Sequence, residues 1–292
     1  MVKISSDIIA ELNKIKLKTV LILITISLIS YSQLAFGQAE PTPAEIAAKM
    51  ANPTTVPAQM VNNFDFKQYQ GSLAGASDQT GFSYLLQPVF PLSSKSTRFT
   101  LRPAIPVLFS QPVYDADNSE WNSKFALGDI GFDLVYGTTF KSGFILQGGL
   151  VGSMPTATGG LGSGQWQLGP NVLFGVAKKW GVVAALVNHK WNVYGPGANT
   201  SVTAGSVFVV IPVGDGSWQI TSLPIISYNH NLEGEKWTLP VTLGFGKTTI
   251  LGGGIFRLLA EASYYVLSPD VFGPKSQIRF TVAKVINNPF TK

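Results

Sequence analysis

The 292-residue chain has no cysteine and only two histidines. Without cysteine there can be no disulfide, thiol nucleophile, Cys-ligated metal or acylated cysteine at an export cleavage point. A metal centre or a Ser-His device would have to use His189 and His230. His189 stands beside Lys190 and Trp191, and His230 lies in the turn Asn229-His230-Asn231, both read as surface positions. Ser227 precedes His230 by three residues, a strand-and-turn setting that gives no reason for contact. No G-x-S-x-G occurs, and the glycine run of residues 159–164 lacks the Lys-Ser/Thr of a phosphate loop. No catalytic, cofactor-binding or metal-binding residue is therefore expected, and no enzyme. Charge is also scarce, at 13% of residues, about half the usual quarter. Long apolar runs are missing beyond the amino terminus, so no second segment offers the roughly 20 residues of a membrane helix.

The amino terminus is read as an export signal. Lys14, Lys16 and Lys18 precede an apolar run of residues 19–29, and Ala35-Phe36-Gly37 follows. Basic region, short apolar core and small residues two apart describe a secretory signal peptide. Residues 1–37 are assigned to it, with cleavage after Gly37. Its long basic region carries Asp7 and Glu11, which leaves an uncleaved anchor as the alternative. The formal charge of +5 falls to +3 in the mature chain, because four lysines and two acidic residues leave with the leader. No nucleic-acid partner follows from that balance.

What the chain has in abundance is alternation. In Gln277-Ile278-Arg279-Phe280-Thr281-Val282-Ala283, every second residue is large and apolar. Side chains of a strand alternate between faces, so Ile278, Phe280 and Val282 share one side and Gln277, Arg279 and Thr281 the other. The pattern recurs in Trp237–Phe245, in Phe256–Val266, in Leu127–Tyr136 and in Thr97–Val107, with weaker segments between. About twelve strands result, and an even number suits a bacterial membrane barrel. The fold class is all-β: an antiparallel transmembrane β-barrel over residues 58–290 with a short N-terminal extension. Residues 38–57 are expected as a periplasmic lead-in or a small plug, the lead-in being favoured. Within them, residues 44–50 are expected to form one or two helical turns between Pro43 and Asn52-Pro53.

Gly- and Asp-rich turns of unequal length separate the segments, as short periplasmic turns alternating with longer external loops require. Pro88, Pro103, Pro106, Pro170, Pro224 and Pro240 fall inside apparent strands, which calls for bulges or different boundaries. Trp121, Trp180, Trp191, Trp218 and Trp237 fall near strand ends, where the aromatic belts of a membrane barrel belong. Opposite the apolar face lie Arg98, Arg102, Asp129, Asp133, Arg257, Glu261 and Arg279, taken as lumen residues. Charge in a pore sets ion preference. Alternatively, these groups brace a narrow barrel by satisfying one another, and bracing is slightly favoured.

An ordered set of short motifs carries a family resemblance. It comprises Ala51-Asn52-Pro53, Arg102-Pro103-Ala104-Ile105-Pro106, Gly128-Asp129, Pro155-Thr156, residues 162–170, Trp237-Thr238-Leu239-Pro240 and Tyr264-Tyr265-Val266. Across residues 50–290 the chain resembles the bacterial outer-membrane transporter family of the meta-pathway of phenol degradation, whose members are also labelled neuromedin U. The resemblance implies an outer-membrane barrel of about twelve strands that passes small molecules, aromatic or apolar ones among them. It brings no catalytic or ligand residues. Many barrels end on an aromatic residue that the assembly machinery reads, whereas here Thr291-Lys292 follow Phe290.

Three functions compete at this point. The first is a passive outer-membrane channel whose partners are lipid, the assembly machinery and a small-molecule solute. The second is a structural or adhesive barrel with a blocked lumen, and the third a soluble periplasmic β-protein.

Overall fold

A computed structural model describes residues 41–93 and 98–290. The expected leader, residues 1–37, lies outside them, as do Thr291 and Lys292.

Twelve antiparallel strands form one closed sheet. In chain order they are β1 (Gln59–Gln70), β2 (Thr80–Ser93), β3 (Arg98–Asp115), β4 (Glu120–Leu127 and Ile130–Thr139), β5 (Phe144–Met154) and β6 (Trp166–Lys178). They continue as β7 (Gly181–Tyr194), β8 (Ser201–Val213), β9 (Trp218–Ser222 and Ile226–Asn229), β10 (Trp237–Leu251), β11 (Gly254–Leu267) and β12 (Gly273–Val285). Each strand pairs with its sequence neighbours, and β12 pairs with β1 to close the ring. Two strands are interrupted. Both pieces of β4 pair with β3, and both pieces of β9 pair with β8 and β10.

The strand prolines account for several of these irregularities. Pro224 falls in the break of β9, and Pro240 sits at a register shift between β10 and β11. Pro88 and Pro103 fall where the β2–β3 ladder lapses, between the Leu86–Ile105 and Phe90–Leu101 pairs. A residue without an N–H is tolerated at such gaps. At one end of the barrel the connections are short, including the two-residue Gly252-Gly253 link, whose φ angles of 55° and 77° suit a tight hairpin of glycines. This is the turn end. Longer segments at 71–79, 155–165, 195–200 and 230–236 mark the opposite, loop end.

Register decides which side chains face inward, because directly opposed residues share a face. Thr221, Gly244, Glu261, Arg279 and Asp65 form one cross-strand row through β9, β10, β11, β12 and β1. Their burial shows that this face points into the barrel. The outward face is the reverse: Val241 is 65% exposed, Leu243 67% and Phe280 49%. Aqueous solvent would penalise so much exposed apolar area by about 25 cal/mol per Å², whereas hydrocarbon does not. The fold is thus that of a transmembrane β-barrel, polar inside and apolar outside. Trp166, Trp191, Tyr228, Trp237 and Tyr264 girdle the loop end, with Tyr136, Trp180 and Trp218 around the turn end. Trp121 departs from the belt position: its Nε1 donates to the Ala74 carbonyl and its ring packs on Phe272.

The segment before β1 forms helix α1 (Pro43–Ala51). Thr42 caps it, accepting from the Glu45 N–H while the Glu45 carboxylate accepts from the Thr42 N–H, and Pro43 supplies a preset first turn. Asn52-Pro53 ends it, since the residue before proline is pushed out of the helical region.

Candidate functional site

The inward face carries two groups of charge. The larger lies on β11, β12 and β1, where Glu261, Arg279 and Asp65 stand side by side with alternating sign. Arg279 grips the Asp65 carboxylate with two parallel bonds, Nε to Oδ1 at 2.6 Å and Nη2 to Oδ2 at 2.8 Å. Gln277 donates to the same Asp65 oxygen, and Tyr265 donates to Gln277. Glu261 accepts from Thr221 at 3.4 Å. Gly244 makes room for both, since a Cβ there would lie 2.4 Å from Thr221 Oγ1 and 2.6 Å from Glu261 Cγ. Fork-shaped Arg–carboxylate pairs are the strong, orienting kind. The space left beside this group is about 20 Å³, lined by Glu261, Tyr265, Gln277 and Arg279 among others. That holds about one water.

The second group lies on β3, β4, β6 and β7. Arg102 is directly opposite Asp133 in the ladder, and Asn171 donates to Asp133 at 3.3 Å. Lys190 shares this inward face on β7, two residues beyond Asn188, which stands opposite Asn171. The Nε of Arg102 is buried without an acceptor.

Of the residues expected in the lumen, Arg102, Asp133, Glu261 and Arg279 thus share the inward face in two clusters, and Arg257 shares it nearer the turn end. Asp129 sits in the break of β4 and serves the loop end: it accepts from the Ala157 N–H, the Ser163 N–H and the Ser163 hydroxyl at 2.8–3.0 Å. Those bonds hold residues 155–165 against the wall. Arg98 opens β3, and its side chain lies outside what the structure describes. Sequence reading overlooked Asp65, Lys67 and Lys190. The alternation Phe64-Asp65-Phe66-Lys67 was the available signal for the first two. His189 and His230 lie among the loop-end girdle, sharing the Thr203 hydroxyl at 2.7 and 2.9 Å, while Ser227 shares the inward face.

Helix α1 lies within the turn end, packed against inward residues of opposite walls. Ile46 and Met50 pack with Ala283, Val61, Ile255 and Val285 of β12, β1 and β11. Ala51 packs on the cluster of Ile145, Leu173, Val182 and Ala184 from β5, β6 and β7. Polar ties add to this. Gln219 donates to the Ala47 carbonyl at 3.1 Å, Gln147 to the Pro53 carbonyl, and Asn52 to Thr139. Ala47 itself is fully buried. Beside the helix a cleft of about 780 Å³ opens at the turn end, with Lys49, Lys141, Lys178 and Lys179 in its lining and no carboxylate among the lining residues.

No family model matches the chain, and no curated protein matches it. Among solved structures it is similar to an outer-membrane channel of Pseudomonas putida F1, at 14% identity and a TM-score of 0.57, over 85% of this chain and 100% of that one. It is also similar to the translocator domain of the autotransporter NalP from Neisseria meningitidis, at 11% identity and a TM-score of 0.48, over 82% and 92% of the two chains. Outer-membrane phospholipase A from Escherichia coli follows at 14% identity and a TM-score of 0.42, over 84% and 98%. The likeness to the Pseudomonas barrel establishes a shared fold.

Proposed function

We propose that the chain is an outer-membrane channel for small molecules, closed at its turn end by helix α1. The observation that carries this reading is the helix seated in a polar, water-compatible barrel interior, held by one layer of apolar contacts and a few hydrogen bonds. A barrel braced only for rigidity has no use for a separate element in its mouth. The leader read from residues 1–37 of the sequence, the twelve-stranded fold and its likeness to an outer-membrane channel support the location. The motifs that resemble a transporter family support passive diffusion of small solutes, aromatic or apolar ones among them. In this reading the lipid bilayer and the outer-membrane assembly machinery are the other partners. The interior groups act by position and charge, and no chemistry is assigned to them.

Purified protein in a planar bilayer is expected to give discrete current steps interrupted by long closures. Permanent silence across voltages, with the barrel folded, would refute the channel. One observation favours the alternative of a blocked structural barrel: the closely filled space around Glu261 and Arg279. That reading expects the same silence after removal of α1, so one set of recordings separates the two.

A further inference from the structure

We propose that Arg257 carries a carboxylate-binding subsite of the lumen, open to a small organic acid when α1 moves aside; this rests on the channel reading. Arg257 is an inward residue of β11, and its Nε and Nη2 are buried with no acceptor. Those two nitrogens form the side-on edge of the guanidinium. One strand away, on the same face, Arg279 uses that same edge to hold both oxygens of Asp65. The barrel therefore displays one such fork filled by a carboxylate and a second left empty.

A buried guanidinium cannot shed its proton, so it needs an anion or pays heavily for burial. Glu261, four residues along the same face, offers its charge to Arg257 but no hydrogen bond to those two nitrogens. Its carboxylate accepts from Thr221 and stands beside Arg279 in the ladder. Two acceptors close to Arg257 are also without partners. Thr248 Oγ1 is on its direct cross-strand neighbour, and Gln219 Oε1 is on the strand beyond. Between them Gly246 projects no side chain into the lumen. A bound carboxylate would accept from the two Arg257 N–H groups and from the Thr248 hydroxyl, with a water bridging it to Gln219 Oε1. Water could satisfy the hydrogen bonds but would leave the charge to Glu261, which already faces Arg279. A planar carboxylate satisfies both, two oxygens against two N–H groups.

The test uses the purified full-length chain, with benzoate as the carboxylate and benzyl alcohol as its neutral counterpart. Millimolar benzoate is expected to reduce the chloride current and benzyl alcohol to leave it unchanged. Arg257→Gln is expected to weaken the benzoate effect about tenfold or more, the scale of a lost charge-assisted pair. Arg257→Lys, which keeps the charge but not the fork, is expected to weaken it as well. Both variants should retain the heat-modifiable gel mobility of the folded barrel, because the Nε and Nη2 of Arg257 surrender no hydrogen bond. Equal benzoate sensitivity in Arg257→Gln overturns the proposal, as does full sensitivity in Arg257→Lys or an equal response to benzyl alcohol. Calorimetric titration of benzoate in detergent separates the two readings. A silent protein that still binds benzoate through Arg257 refutes the channel and keeps the subsite, whereas a conducting protein that binds none refutes the subsite alone.

Discussion

Arg279→Gln is expected to destabilise the barrel by about 3–5 kcal/mol, the cost of leaving one member of a buried ion pair alone. The substitution removes both bonds to Asp65. Among the described residues, Asp65 then keeps Gln277 as its side-chain donor, facing a wall that also holds Glu261 in the same cross-strand row. Asp65→Asn should cost less, because Arg279 still has Glu261 as its neighbour on β11. Combining the two should recover part of the loss, the signature of a coupled pair. Urea unfolding in detergent, followed by loss of heat-modifiable mobility, measures all three. A cost near zero for Arg279→Gln would mean that water solvates this wall, in which case the charges do not brace it.

Removing α1 is expected to have the largest effect on current. Deletion of residues 43–53 takes away the element that Ile46, Met50 and Ala51 anchor on opposite walls. It also frees Gln219 and Gln147, which then line an open mouth, while Thr139 keeps its bond to Thr54. The mean current should rise at least tenfold, since a closed state favoured even a hundredfold is worth only about 2.7 kcal/mol. That is comparable to burying one or two apolar side chains. The barrel should remain folded, as no strand pairing passes through the helix. Bilayer recording of the deletion beside the full chain gives the ratio, and equal currents would remove the helix from any gating role.

The architecture was legible because the lipid face and the lumen impose opposite chemistry on alternate residues. Ile278, Phe280 and Val282 could be separated from Gln277, Arg279 and Thr281 by pattern alone, and β10 and β11 likewise. Irregular strands were harder. The break of β9 at 223–225 and that of β4 at 128–129 replace alternation by turn-like residues, so one strand is written as two pieces. The candidate site was legible by type and not by partnership. Arg257, Glu261 and Arg279 announce a charged face, yet nothing local reveals that Arg279 turns to Asp65, 214 residues away. Closure of the ring makes that pair, and closure is a property of the whole sheet. Asp65 and Lys67 were passed over because Asn62 and Asn63 blur the alternation at the start of β1. Lys190 sits between His189 and Trp191 and resembles a strand end. Asp129 carries the same charge as Asp133, but the break in β4 hands it to the loop of residues 155–165.

The helix as a movable stopper is the central claim, and the cysteine-free chain allows a direct test. Ala47→Cys and Gln219→Cys place a thiol on each side of an existing contact, Gln219 Nε2 to the Ala47 carbonyl. A short reducible bis-methanethiosulfonate linker spans the reach that the glutamine side chain gives up. With the crosslink verified by gel mobility, single-channel current is recorded before and after a reductant is added. The expected result is silence while crosslinked and current steps once reduced. Equal current in both states would contradict the claim.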